Sequence, residues 1–260
     1  MICSIYYTLW IIILQYHRPN WVVPPHVHAL ATTRHGGISE GPYTSNNLAL
    51  HVDDDQSHVM VNRNLLIKEL ALPSPPEWLQ QTHSTQCILV DQESSRAGDA
   101  AYSQTPGRVL CIMTADCLPI LLCNRDGTEI AAVHAGWRGL VDGVIENTIK
   151  NFADNLNNLI AWIGPAICGN CYEVGDEVRN KATEKDESAN SAFIKSPNYS
   201  TNQPKWLANL PYLAELRLKK LGITDIYQAN QCTYELSDIF YSYRKQAQTG
   251  RIASLIWMNE

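Results

Sequence analysis

The chain has 260 residues, enough for one large domain or two small ones, and its 45% hydrophobic and 18% charged residues match an ordinary globular protein. The formal net charge is −6 and no Lys/Arg-rich run appears, so the electrostatic footprint of a nucleic-acid partner is missing. Eight cysteines are too few for a disulfide scaffold, and several stand inside apolar runs as buried thiols do; the expected compartment is a reducing cytoplasm.

Residues 5–14 (IYYTLWIIIL) are apolar but too short to span a bilayer, so no membrane partner is expected. A secretory signal needs a basic n-region and a small-residue cleavage site, and neither is present. The favoured reading is an extra strand, an irregular appendage or an early start codon; a cleaved or anchoring segment is the alternative. Residues 1–18 are therefore set apart as an N-terminal extension of uncertain status, and residues 19–260 as the main domain.

Residues 27–33 read as a strand leading into Arg34-His35-Gly36-Gly37. The glycines allow backbone N–H groups to approach a ligand, and Arg34 favours an anion contact over a plain turn. Asp53, Asp54 and Asp55 lack the EF-hand pattern and instead lead into a helix over 56–70. Gln80-Gln81-Thr82-His83-Ser84 precedes a strand at 87–90; a lone histidine there is usually structural. Residues 96–105 read as a polar loop containing Gly98-Asp99-Ala100.

Residues 109–113, 120–123 and 130–133 are short buried strands, with an Asn-Arg-Asp-Gly turn at 124–127. A helix over 140–152 carries Val141, Val144, Ile145, Ile149 and Phe152 on one stripe. It follows a Gly-Trp-Arg-Gly turn (136–139), which suggests an anion pocket to which Arg138 adds charge. A strand at 159–163, a polar helix ending near 187, an unpatterned segment at 188–205, a helix at 211–221 closed by Gly222, and strands at 223–228 and 252–258 complete the chain. This interleaving predicts a single α/β (α+β) domain with mixed sheets flanked by helices.

Cys117 and His134 lie 17 residues apart, and a strand, turn and return strand would bring them together. With His83 they make three N/S donors that suit zinc with an open fourth position, where a bound water becomes a nucleophile near neutral pH. A metal-free Cys117–His134 nucleophile pair and plain core packing are the competing readings. Cys168 and Cys171 form a C-x-x-C that serves in redox pairs and half zinc sites; without a second C-x-x-C, packing or incidental thiols are favoured. Coupled copper sites need many imidazoles, and eight histidines with one His-x-His pair argue against them.

The motifs TTRHGGIS with a later NNL, QQTH, GDA, TADCLPILL, AAVHAGWRGL, IGPAICGNCYEVG, CT and FYSYRKQAQTGRIASLIW occur in this order across residues 20–258. The chain resembles the YfiH family, long labelled polyphenol oxidoreductases or laccase-domain proteins. The resemblance implies a mixed-sheet fold like that of a group of cysteine hydrolases, filling residues 19–260 as the catalytic domain. It implies a zinc ligand set at His83, Cys117 and His134, which are also the catalytic candidates. It further implies phosphorolysis of adenosine, inosine, guanosine or methylthioadenosine, with phosphate as co-substrate, and adenosine deamination. Arg34, Asn47, Arg138, Tyr172 and Arg244 become candidate substrate contacts, with Arg251 a further cation, each arginine weighed against a structural ion pair. Two positions depart from the family pattern: Asp53 stands where Gly is usual, and Asn209 where Asp is common. A Cys–His hydrolase of a cell-wall precursor, a polyphenol oxidoreductase and a metal-binding scaffold without turnover are the alternatives. The sequence leaves the oligomeric state open.

Overall fold

The structure is a computed structural model describing residues 14–260. Of the apolar run expected at 5–14, all but Leu14 lies outside the described residues; Leu14 is buried.

Two sheets stack face to face, and each carries helices on its outer side. The six-stranded sheet runs, in spatial order, Asp225–Gln228, Leu159–Ile163, Leu118–Asn124, Ile130–Ala135, Ala100–Ser103, Cys87–Leu89. The five-stranded sheet runs Tyr16–His17, Val27–Thr32, Ile252–Met258, Val109–Thr114, Glu77–Trp78. A strand covered on both faces must be apolar at successive positions, and the central strands are. In Leu118–Asn124, Leu118, Ile120 and Leu122 pack beneath the helices, while Leu121 and Cys123 pack against the other sheet. In Val109–Thr114, Leu110 and Ile112 join that inter-sheet layer, and Val109 and Cys111 pack with Leu66 of helix Gln56–Glu69. Cys111 and Cys123 are therefore core thiols. The mixed α/β domain with helix-flanked sheets is as expected.

The central hairpin follows the expected strand–turn–strand course. Gly127 takes φ +67°, and the Asn124 side-chain oxygen accepts the N–H groups of Thr128 and Glu129. The return strand then pairs Pro119 with His134 and Leu118 with Ala135.

Several boundaries differ from expectation. The loop expected at 96–105 contains the strand Ala100–Ser103, whose Ala-Ala-Tyr-Ser lacks the β-branched residues that mark strands and is held by neighbours on both sides. The helix expected at 140–152 starts at Trp137 and breaks at Gly143 (φ +103°) into Trp137–Asp142 and Val144–Ile149. The expected Gly-Trp-Arg-Gly turn is thus a first helical turn capped by Gly136. The segment 188–205 contributes Phe193–Lys195, which pairs with Lys205–Ala208 and, through it, with Glu173–Gly175 in a small third sheet. Asp53 does not take left-handed backbone, so a side chain there carries no backbone strain. No helix among the described residues is long and apolar enough to cross a membrane.

Candidate active site

The chain passes from one stacked sheet to the other through Ala115, Asp116 and Cys117, between strands Val109–Thr114 and Leu118–Asn124. Asp116 makes this crossing with φ +83°, a conformation disfavoured for a side-chain-bearing residue. Its carboxylate holds the turn in place by accepting from the Thr233 hydroxyl (2.6 Å) and from the backbone N–H of Arg244 (2.6 Å). Cys117 precedes Leu118, whose partner is Ala135, and so emerges beside Gly136, two positions beyond the paired Pro119–His134. A side chain at Gly136 would place its Cβ 2.7 Å from His83 Cδ2 and 3.3 Å from Cys117 Sγ, so only glycine leaves the site its space.

His83 arrives on a separate loop, also with positive φ (+62°). Asp99 organises it. One carboxylate gathers the N–H groups of Thr82, His83 and Ser84 and the Ser84 hydroxyl, at 2.6–3.1 Å. The same carboxylate lies 2.8 Å from Nδ1 of His134. Gln81 anchors the loop start by exchanging two 2.8 Å hydrogen bonds with the backbone of Met113.

Burial alone would keep the Cys117 thiol protonated, but His134 and His83 overcome it and bring its pKa down to about 6. Burial opposes charge on His134 as well, and Cys117 with Asp99 outweighs it, lifting the imidazole to about 9. Burial pushes Asp99 up, yet the hydrogen bonds from His134 and Ser84 hold it well below the usual carboxylate range. The surroundings thus favour charge on all three groups: a lowered Cys117 thiol, a raised His134 imidazole and a lowered Asp99 carboxyl.

The donor atoms of His83, Cys117 and His134 all lie within 4.8 Å of one another. Sγ of Cys117 is 3.7 Å from Nε2 of His83. In a tetrahedral site with Zn–S about 2.3 Å and Zn–N about 2.0 Å, sulfur and nitrogen stand about 3.5 Å apart, so this pair has the right span. With Nδ1 of His134 engaged by Asp99, Nε2 is the nitrogen left to bind, the carboxylate–histidine arrangement that fixes metal-binding imidazoles. The residues fit a zinc-class ion with a fourth position facing the cavity.

That cavity has a volume of about 560 Å³ and opens over Cys117, His83 and His134. Of the expected substrate contacts, Arg138, Tyr172 and Arg244 line it; Arg34 and Asn47 do not. The Arg34 guanidinium is committed to the carbonyls of Thr44 and Ser237 and lies over the Tyr241 ring. Asn47 is fully buried, and its side-chain oxygen accepts the N–H of Arg251, a residue that does line the cavity. Arg244 stacks over Tyr172 with its guanidinium 4.9 Å from the ring centre, and Arg138 stacks over Trp137 at 4.5 Å. Among the described residues Arg138 has no ion-pair partner.

Sequence reasoning gave no role to Asp99, Asp116, Gln81, His51 or Tyr243. The signal for Asp99 and Asp116 was present: both sit directly beside a candidate ligand or a glycine in short polar connections between apolar runs. Tyr243 lines the cavity and is 57% exposed, so its ring is open to a ligand.

Residues 28–259 match the family described as multi-copper polyphenol oxidoreductase laccase. A purine nucleoside phosphorylase of Haemophilus influenzae is 46% identical over 245 residues, covering 94% of this chain and 99% of its own length. The purine nucleoside phosphorylase YfiH of Escherichia coli is 46% identical over 242 residues, 92% of this chain and 97% of the relative. Among solved structures, the Neisseria meningitidis protein NMB0706 is similar with a TM-score of 0.88 at 38% identity, covering 94% of this chain and 99% of that one.

Proposed function

The chain belongs to the YfiH family, described as multi-copper polyphenol oxidoreductase laccase, and from that premise we propose that it is a zinc-dependent purine nucleoside phosphorylase that also deaminates adenosine. The observation that carries this reading is convergence. Three metal-binding donors and the cations Arg138, Arg244 and Arg251 share one cavity of about 560 Å³. That volume accommodates a nucleoside with phosphate beside it.

In phosphorolysis a phosphate oxygen forms a bond to C1′ of the ribose as the C1′–N9 bond breaks, and the purine leaves with a proton. Arg138, together with the guanidinium N–H groups of Arg244 and Arg251 that are not bound to the carbonyls of Glu173, Thr249 and Gly250, supplies charge to hold the phosphate in line, and Tyr172 and Tyr243 offer ring faces to the base. Asn47 acts at one remove, by fixing the backbone of Arg251. Burial keeps the Tyr172 hydroxyl protonated, with its pKa near 12, so it serves as a donor. In deamination, water oxygen replaces the C6 amino group, which departs as ammonia. His83, Cys117 and His134 would hold a zinc-class ion, which would supply Lewis-acid polarisation at the reacting end of the cavity in both reactions and, in deamination, would lower the pKa of a nearby water. Asp99 keeps the proton of His134 on Nδ1 and the ring turned toward the cavity.

One observation favours a second reading. Asp99 orients His134, and a donor nitrogen of His134 lies within 4.8 Å of the Cys117 sulfur, the neighbourhood of a cysteine nucleophile with its base and orienting acid. Such an enzyme would be a metal-free hydrolase. Copper is the third case, since two imidazoles and a thiolate also suit it.

Protein of known metal content, incubated with adenosine, inosine, guanosine or methylthioadenosine with and without phosphate, separates these readings. Ribose 1-phosphate (its 5-methylthio analogue from methylthioadenosine) and free base appearing only with phosphate, and inosine from adenosine without it, are the expected products. No product from any nucleoside would overturn the proposal. Full turnover of metal-free protein would support the cysteine reading instead.

A further inference from the structure

The C-x-x-C of Cys168 and Cys171 has no second C-x-x-C in the sequence, but the fold completes it differently. Cys232 and Glu235 come up against it from a segment some sixty residues later, and the donor atoms of all four lie within 4.8 Å of one another. Cys168 Sγ and Cys171 Sγ are 3.9 and 3.6 Å from Oε1 of Glu235. In tetrahedral zinc sites donor pairs stand about 3.5–3.8 Å apart, given Zn–S of about 2.3 Å and Zn–O of about 2.1 Å. The backbone is shaped for the same purpose. Cys171 N–H bonds Cys168 O at 3.1 Å, closing a tight knuckle, and Cys168 N–H points at Cys232 Sγ at 3.3 Å. A parallel bridge between Ala166 and Cys232 fixes the two segments together. All three cysteines are free thiols.

We infer that Cys168, Cys171, Cys232 and Glu235 form a second, structural zinc-class metal site, separate from the His83–Cys117–His134 centre. Three thiolates and a carboxylate fill four positions, so the site is closed and holds structure rather than binding substrate. Its placement gives it a purpose. Ile167 and Tyr172 flank the knuckle and line the catalytic cavity, and Thr233, next to Cys232, bonds the Asp116 carboxylate that precedes Cys117. The ion would pin the cavity wall to the crossing that presents Cys117. This inference does not rest on the proposed activity.

Metal analysis of the full chain, dialysed after loading with zinc, tests it. Two zinc ions per chain are expected, falling to one in Cys168→Ser/Cys171→Ser and to one in Cys117→Ser. The ion that Cys117→Ser retains, exchanged for cobalt, should show thiolate-to-metal absorption of three-sulfur strength. Should the double variant fail to fold, alkylation of the wild-type chain decides the matter. Cys168 and Cys171 are partly exposed, so their protection until chelator is added reports the ion directly. One ion per chain with Cys168 and Cys171 alkylated in the absence of chelator would overturn the inference, as would a disulfide among Cys168, Cys171 and Cys232 in freshly purified protein. Absent phosphorolysis with two ions bound would count against the proposed function and leave this site standing.

Discussion

Asp99 does more for the site than any residue that touches the cavity. It satisfies three consecutive N–H groups around a left-handed His83 and orients His134 with the same carboxylate. Removing its charge while keeping its shape should therefore loosen the metal rather than unfold the chain. Asp99→Asn is expected to weaken zinc binding about 10- to 100-fold, the usual loss when a metal-bound histidine loses its carboxylate partner. Competition with a chelating dye measures this, and unchanged affinity would remove Asp99 from the design. Tyr243 is the opposite case, an exposed ring at the mouth. A base stacked on an aromatic ring gains about 1–3 kcal/mol, so Tyr243→Ala should raise KM for nucleoside about tenfold with little change in kcat. Steady-state kinetics would show it; an unaltered KM would place the base elsewhere. The residue types and flanking motifs singled out His83, Cys117 and His134 as candidate donors, and the fold brings their donor atoms within 4.8 Å of one another. Asp99 was not singled out, because it lies 16 and 35 residues from the histidines it serves and reads locally as a turn acid. Arg34 looked like a ligand contact for the same reason in reverse: an arginine beside glycines invites that reading, and only the fold shows its donors spent on Thr44 and Ser237.

The elements with strong local signals formed where expected, and those held by their neighbours did not announce themselves. Strand Ile252–Met258 and the helix Gln56–Glu69, capped by Asp55, follow pattern and capping chemistry. Ala100–Ser103 and Phe193–Lys195 are strands only because partners pair with them. Helix Leu210–Lys220 shows how local chemistry can be tested. Asn209 caps it by accepting the N–H of Tyr212 at 3.0 Å. Asn209→Ala should cost about 1 kcal/mol, and Asn209→Asp should be close to neutral, measured by urea denaturation. A second cap carries a pH signature. Lys220 and Ser188 hold the Asp186 carboxyl down to about 2. The unfolded value is higher, about 3.9, so the stabilisation is full above that value and is lost as pH falls toward 2. The difference in melting temperature between wild type and Asp186→Asn should therefore shrink as pH drops from 5 to 2. A gap that stays constant would mean the carboxylate contributes nothing to the fold.

At the scale of the molecule, the stacked sheets explain why the site lies where it does. Both faces of the central strands are buried, so polar chemistry is pushed to strand ends, and the Ala115–Cys117 crossing is where the chain leaves one sheet for the other. His134 reaches the same edge by hairpin register and His83 by the Asp99 turn. Mixed α/β class was legible from interleaved elements; the face-to-face stacking was not, because an apolar run records that both faces are covered without recording what covers them. The central claim is that the ion held by His83, Cys117 and His134 is required for phosphorolysis. The most direct test strips the protein with a chelator, returns zinc in steps, and follows phosphate-dependent release of base from adenosine against occupancy of that centre. The rate should rise in proportion to occupancy, and Cys117→Ser should stay inactive at every zinc level. Full turnover by the stripped protein, or by Cys117→Ser, would contradict the claim.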